Sequence, residues 1–344
     1  MIYNHSIDLT LVPNIIKLAS SLYAVKFNLM KLIPAKYIIE RALETGELTQ
    51  DMTVIETSSG TFALGLALVC AKYNLNLIII GDPAIDEKLK RKLELLGAKV
   101  EIVPPSPGIG IQTKRLERLY QIRRELKNTF WTEQYDNPDN PVSYSIVGEQ
   151  LEKCFGTVDA LIGPVGSGGS MCGIGTHLRK KNEDLDMIGI DTHGSVLFGQ
   201  EDFPRALRGL GNSGFPKNLK QDLFDEVHWL NASDAFYSSN ELFKESGVFM
   251  GGTSGATYLV GKWWAENNPD KIGVLLFPDE GYRYEETIFN EQWLKENKLY
   301  TDKVPQEPTL VTHPLECKKD DWSYMNWNQR KLESVQTASL SLAK

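Results

Sequence analysis

MTVIETSSGTFALGLALVCAKYNLNLIIIG (residues 52–81) decides how the chain folds. MTVIET (52–57), rich in β-branched residues, reads as a strand, and the apolar run from Phe62 to Tyr73 reads as a helix. LNLIIIG (75–81) is the next strand. Strands joined by a single helix imply parallel pairing with a right-handed crossover. The pattern continues with a charged helix around IDEKLKRKLELLG (85–97) and a strand in AKVEIVP (98–104). Gly97 lies where a helix C-cap is expected, and Pro104 with Pro105 marks the end of the third strand.

A second series of the same kind follows. VDALIGPVG (158–166) is a buried strand, a helix begins near Ser170, and DMIGID (186–191) is another strand. KIGVLLFPDEG (271–281) is the strongest strand signal of all, whereas GLGNSGFPKNL (209–219) is rich in turn residues and reads as a loop. The predicted class is therefore α/β: two lobes, each a mostly parallel twisted sheet flanked by helices, with a ligand cleft expected between them. A chain of 344 residues is long enough for two such lobes. Beyond about Tyr300 the sequence becomes polar, proline-punctuated and irregular, and the last dozen residues read as disordered. The aromatic residues of this tail, Trp322, Tyr324 and Trp327, are expected to pack over their own lobe or a dimer partner, with a docking element as the alternative.

Apolar and charged fractions of 42% and 24% are ordinary for a soluble globular protein. A net charge of −8 and the absence of a long Lys/Arg tract argue against a nucleic-acid surface. Arg179, Lys180 and Lys181 cluster at what reads as a helix end, where cations complement the dipole. No apolar run is long enough to span a bilayer, and MIYNHSIDLT (1–10) lacks the features of a secretory signal. Cys70, Cys154, Cys172 and Cys317 form no C-x-x-C pair, and the five histidines are equally scattered. Reduced thiols, a cytoplasmic location, no membrane partner and no metal centre are the expectations.

VGSGGSMCGIG (165–175) joins a buried strand to a helix. Gly166, Ser167, Gly168, Gly169 and Ser170 leave backbone N–H groups uncovered just before a helix N-terminus, so the donors and the positive end of the dipole meet at one spot. That arrangement suits an anion, most commonly phosphate, although a tight strand-to-helix turn is the alternative. This loop is not a Walker A loop, because no Gly-Lys-Ser/Thr follows, and it lacks the dinucleotide G-x-G-x-x-G spacing, because Gly166-x-Gly168 is followed by Gly169 and Ser170.

This loop resembles the Gly-Thr-Gly-Gly-Thr phosphate loop of the cysteine synthase and cystathionine β-synthase family, fold-type II enzymes that use pyridoxal 5'-phosphate (PLP). The resemblance covers roughly residues 8 to 295. Gln134-Tyr135-Asp136-Asn137-Pro138-Asp139-Asn140-Pro141 is similar to the family's Gln-Phe-x-Asn-Pro-x-Asn-Pro, the most specific match in the chain. Gly251-Gly252-Thr253-Ser254-Gly255-Ala256 resembles the element whose first hydroxyl residue hydrogen-bonds the pyridine nitrogen, which implies that role for Thr253. On its residues alone this segment is a Gly-rich helix start capped by Thr253. Phe277–Tyr284 looks like the family's Pro-Asp-Ser-Gly-Glu-Arg-Tyr strand exit, with Glu280 in place of a small residue, and Arg208-Gly209-Leu210-Gly211 resembles the loop that closes over substrate.

In FNLMKLIPAKYIIERA (27–42) the resemblance aligns Lys31 with the lysine that carries the cofactor as a Schiff base, with Lys26 and Lys36 as competitors. The family's Asn-Pro-x-Gly-Ser approach is shortened here to Phe27-Asn28-Leu29-Met30, and its Asp-Arg becomes Leu32-Ile33. Apolar neighbours lower a lysine's pKa, which suits imine exchange and proton transfer. Ser58-Ser59-Gly60-Thr61-Phe62 is similar to the substrate-carboxylate loop Thr-Ser-Gly-Asn-Thr, with Thr61 in place of the asparagine that contacts the cofactor. Gln134 is implied to complete the carboxylate site.

The resemblance implies β-replacement on an activated L-serine through an aminoacrylate, with Lys31 as general base, a small nucleophile as second substrate, and a homodimer. It also implies a PLP-binding large lobe (1–31 and 136–300), a smaller mobile lobe (32–135) and a C-terminal extension (301–344). A serine/threonine dehydratase or racemase, and a non-catalytic scaffold, are the competing readings.

Overall fold

The computed structural model describes residues 2–11, 13–106, 108 and 110–335. In chain order the elements are α1 (Ser6–Thr10), β1 (Asn14–Lys17), β2 (Leu22–Lys26), α2 (Leu32–Thr45), β3 (Thr53–Thr57), α3 (Thr61–Tyr73), β4 (Asn76–Gly81), α4 (Glu87–Leu95), β5 (Lys99–Ile102), α5 (Ile111–Glu125), β6 (Thr129–Trp131) and α6 (Asp139–Ser143). Then come α7 (Ser145–Phe155), β7 (Ala160–Pro164), α8 (Gly169–Arg179), β8 (Asp186–Thr192), β9 (Glu226–Leu230), α9 (Ala232–Ser246), α10 (Gly252–Asn267), β10 (Gly273–Phe277), α11 (Glu291–Glu296), β11 (Thr309–Leu310) and β12 (Ser323–Asn326). These elements form two compact units.

The smaller unit holds the chain up to residue 12 together with Leu29–Ser143. Its sheet runs β5-β4-β3-β6 with every pair parallel. Both faces are covered, which is why β4 reads as an unbroken apolar run. Val54, Leu77 and Ile79 pack with Ile38 and Ile39 of α2 and Leu66 and Val69 of α3. Ile55, Ile78 and Ile80, one residue out of step, face Leu119 and Ile122 of α5.

The larger unit holds Pro13–Asn28 and the chain from Tyr144 onward. Its eight-stranded sheet runs β1-β2-β10-β7-β8-β9-β12-β11 among the described residues. The central strands β2, β10, β7, β8 and β9 are parallel, and β1 and β12 join antiparallel. Ile162, Ile190, Leu275 and Phe277 pack with Phe236 and Leu242 of α9 and Val260 and Trp264 of α10.

Three features differ from the sequence reading. Residues before 13 and residues 29–31, Lys31 among them, are expected in the larger lobe but fall in the smaller unit, where Ile7 and Leu29 enter the apolar core. The chain crosses back at Ser143 and not at 135, because α6 packs against α2. The tail, expected to be irregular, contributes β12, which pairs with β9 in the register Tyr324↔His228. Trp322 and Trp327 are buried, with Trp322 Nε1 donating to His228 Nδ1 at 3.1 Å and Tyr324 stacked on the His228 ring. The tail thus covers what would otherwise be the β9 edge of its own unit. Of the last dozen residues, expected to be disordered, 333–335 are helical and 336–344 lie outside the described residues.

The α9–α10 pair depends on one glycine. A Cβ on Gly255 would overlap the Ala235 carbonyl oxygen and Ser239 Oγ. Gly255→Val is expected to destabilise the larger unit by about 2 kcal/mol through forced separation of the helices. Thermal unfolding followed by circular dichroism would show a lower Tm, and an unchanged Tm would mean the helices have room to spare.

Candidate active site

In the smaller unit, Lys31 is the N-cap of α2, and its carbonyl oxygen accepts from Ala35 N at 3.3 Å. Met30, Leu32 and Ile33 around it are all buried, and burial lowers the Lys31 pKa to about 8. Lys26 Nζ instead lies 3.6 Å from a Glu280 carboxylate oxygen, and Lys36 Nζ lies 2.6 Å from Glu40 one helical turn away. The start of α2 is also held closely by α3: a Cβ on Gly65 would come within 2.9 Å of the Lys31 carbonyl oxygen.

The Ser58–Thr61 loop leaves the C-terminal end of β3 and opens α3, whose N-cap is Gly60. Ser58 Oγ accepts from Gly60 N at 3.4 Å and Ala63 N at 3.2 Å, which leaves its proton for an acceptor outside the loop. Ser59 Oγ accepts from Asp82 N at 3.0 Å and Arg115 Nη1 at 3.3 Å, and Arg115 also pairs with Asp82 at 2.9 Å. Thr61 is half-buried in the first turn of α3. Phe62, which stands where the family has a second threonine, is turned into the apolar core.

Gln134 is buried beyond the end of β6. Its N–H donates to Glu56 Oε2 at 3.1 Å, and its carbonyl accepts from Asn140 Nδ2 at 2.5 Å. The Asn-Pro-x-Asn segment is thus a brace for the Gln134 backbone: Asn137 Nδ2 donates to Thr132 O, and Asn137 Oδ1 caps Asp139 N. Glu56, which the sequence reading did not single out, accepts from Gln134 N and also from Thr132 Oγ1 and Trp131 Nε1. Its only sequence signal is a carboxylate inside an otherwise strand-like run.

In the larger unit, Gly166–Ser170 joins β7 to α8. Gly168, the N-cap, has φ +81°, and a Cβ there would sit 2.5 Å from Leu219 Cα. Only glycine lets the loop fold this tightly against residues 218–219. The N-cap supplies no side-chain hydrogen bond, although Ser167 Oγ accepts from Gly169 N at 3.4 Å. Gly209, with φ +92°, lies beside both Gly166 and Thr253: a Cβ on it would be 3.0 Å from Thr253 Cγ2, and one on Gly166 would be 3.4 Å from Gly209 O. Gly211 N donates to Val165 O at 2.8 Å. The larger unit therefore gathers Gly166–Ser170, Gly209 and Thr253, three segments well apart in sequence.

The helix α10 begins at Gly252 with Gly251 as N-cap, so Thr253 lies in the first turn and is not the capping residue. Thr253 is buried, and its carbonyl takes the Thr257 hydroxyl at 2.9 Å. The Phe277–Tyr284 exit packs against the same helix start: Gly251 N donates to Asp279 O, and Tyr284 Oη donates to Asp279 Oδ2 at 2.6 Å.

Residues 30–273 match the family model described as pyridoxal-phosphate dependent enzyme. The chain belongs to that family. It is 35% identical over 270 residues to N-(2-amino-2-carboxyethyl)-L-glutamate synthase of Cupriavidus metallidurans, covering 76% of this chain and 79% of the relative. It is 27% identical to a cysteine synthase of Helicobacter pylori over 72% of this chain and 81% of that one. Its fold is similar to that of O-acetylserine dependent cystathionine beta-synthase from Helicobacter pylori, with a TM-score of 0.77, 24% identity, and coverage of 83% of this chain and 98% of that one. The residues present fit the family's cofactor. The Gly166–Ser170 cradle offers backbone donors at the N-terminus of α8 where a side chain would not fit at Gly168, and Lys31 has a depressed pKa. Among the described residues no helix is long and apolar enough to cross a membrane.

Burial disfavours the charged amine, so Lys31 loses its proton as pH rises through about 8, against 10.5 for an ordinary lysine. Competitive acetylation of cofactor-stripped protein, read by peptide mass spectrometry, is expected to give Lys31 a reactivity midpoint near 8. A midpoint near the ordinary value would remove the basis for preferring Lys31 to Lys26 and Lys36.

Proposed function

We propose that this enzyme performs β-replacement on an activated L-serine, with Lys31 as both cofactor anchor and proton carrier. The observation that supports the assignment is the setting of Lys31, flanked by the buried Met30, Leu32 and Ile33, with its pKa lowered by burial to about 8. Pyridoxal phosphate, when bound, supplies an electron sink for the pair left by the Cα–H bond. Gly166, Ser167, Gly168, Gly169 and Ser170 would hold its phosphate, and the Thr253 hydroxyl would serve its pyridine nitrogen. A neutral hydroxyl in that place disfavours full protonation of the ring and suits loss of the β-substituent.

The chain's own groups then do the following. Ser58, Ser59, Gly60, Thr61 and Gln134 hold the substrate carboxylate through hydroxyls, amides and the start of α3, with Gly209 lining the substrate's loop. Thr61, which stands in the place of the family's cofactor-contacting asparagine, would keep that role. The neutral Lys31 amine takes the proton from the substrate Cα as the β-substituent departs with its bonding pair. The nucleophile adds at Cβ and loses its own proton, and Lys31 returns the first proton to Cα.

The nucleophile in this reading is the amine of an amino acid. The 35% identical relative makes, by its name, a glutamate whose nitrogen carries a 2-amino-2-carboxyethyl group, and the cysteine synthase relative is more distant at 27%. Sulfide is the second reading, supported by that cysteine synthase. A cytoplasmic homodimer completes the proposal, in keeping with the family's cysteine synthase-like members.

Incubating purified protein with O-phospho-L-serine or O-acetyl-L-serine, each with L-glutamate or sulfide, and reading products by mass spectrometry separates the outcomes. The glutamate adduct is expected, and it is expected to vanish in Lys31→Ala. Cysteine alone would favour the second reading. Pyruvate without any adduct would replace β-replacement with dehydration, and no turnover of any β-substituted serine would favour a non-catalytic scaffold.

A further inference from the structure

We propose that Glu56 is a positioning residue that sets Gln134 and the Ser58–Thr61 loop in place for the substrate carboxylate. The inference rests on the carboxylate-binding role proposed above for those residues. All its contacts lie within the smaller unit.

The parallel ladder between β3 and β6 runs Thr53↔Thr129, Val54↔Phe130 and Ile55↔Trp131, and stops there. Past this point the two strand exits have no backbone pairing in the register, and Glu56 takes its place. Oε2 accepts from Thr132 Oγ1 at 2.6 Å and from Gln134 N at 3.1 Å. Oε1 accepts from Thr57 N at 2.6 Å and from Trp131 Nε1 at 3.3 Å. Oε2 therefore serves the segment that carries Gln134, while Oε1 joins Trp131 of β6 to the strand end from which Ser58–Thr61 departs. With 1% of its surface exposed, Glu56 is a buried carboxylate kept by its donors.

The segment it holds would not choose this path unaided. Glu133, between the two Oε2 donors, has φ +51°, a left-handed conformation that a side chain disfavours. Such a residue persists where its surroundings over-determine it. Here Glu56 pins the residue on each side, Asn140 pins the Gln134 carbonyl, and the Glu133 carbonyl accepts from Asp136 N and Asn137 N. A turn held at this many points has a specific task, and the residue it delivers is Gln134.

A glutamine in this place keeps the size of Glu56 but turns two acceptor sites into an N–H₂ group facing N–H and O–H donors. In the holoenzyme, Glu56→Gln is expected to leave the cofactor absorption band at wild-type intensity. The half-saturating concentration of the activated serine rises about tenfold while kcat stays within about threefold, the signature of lost binding geometry. The effect is smaller on a Gln134→Ala background, since part of what Glu56 positions is already gone. Thr132→Ser is expected to behave as wild type and Thr132→Val to raise the same half-saturation value. This pair decides the matter if Glu56→Gln does not fold. A lower Tm with unchanged half-saturation in Glu56→Gln, or equal values for Thr132→Ser and Thr132→Val, overturns the positioning role. A wild-type enzyme whose spectrum responds to no β-substituted serine overturns the underlying function instead.

Discussion

Parallel strand pairing is the constraint on which everything else here depends. A parallel ladder sends every strand exit toward the same edge of its sheet, and the connections between strands must be helices that cover the faces. In the smaller unit this puts the exits of β3, β4 and β6 on one edge, and these carry Ser58–Thr61, Asp82 and Gln134. In the larger unit the exits of β7 and β10 carry Gly166–Ser170 and the Asp279–Tyr284 segment. Each exit is followed by a helix start or a turn, where backbone N–H groups are available for anions.

Burial then sets the chemistry. Lys31 and Glu56 are opposite charges placed among apolar residues of the same unit, and the protein treats them in opposite ways. The carboxylate is given several donors, which answer the desolvation that pushes its pKa up. The lysine stands at the start of a helix flanked by Met30, Leu32 and Ile33, so its neutral form gains ground and its pKa falls. A neutral amine is the form that forms an imine and accepts a proton near neutral pH. The departures from the family pattern around Lys31 are consistent with that need, since they replace polar residues by ones that desolvate the amine.

Much of the architecture was legible because runs such as LNLIIIG and KIGVLLFPDEG are too apolar and β-branched for anything but a covered strand. What escaped notice has physical reasons as well. The resemblance placed residues 1–31 in the larger lobe, but the strands β1 and β2 themselves were not read, because β2 pairs with β10 far along the chain and local pattern cannot show such a pairing. The three-residue β6 and the polar β12 are too short to display a period, and β12 becomes a strand only because β9 offers an edge. The glycine segments and the Gln134–Pro141 stretch were conspicuous by residue type. Glu56 was not, because a lone carboxylate in a strand ordinarily faces water; its burial follows from donors that arrive from residues 131–134, well downstream.

The proposed function depends on which lysine carries the cofactor. Borohydride reduction of the holoenzyme followed by proteolysis and peptide mass spectrometry locates the attachment directly. The pyridoxyl group is expected on Lys31 alone; recovery on Lys26, Lys36 or any other lysine would contradict the role proposed for Lys31.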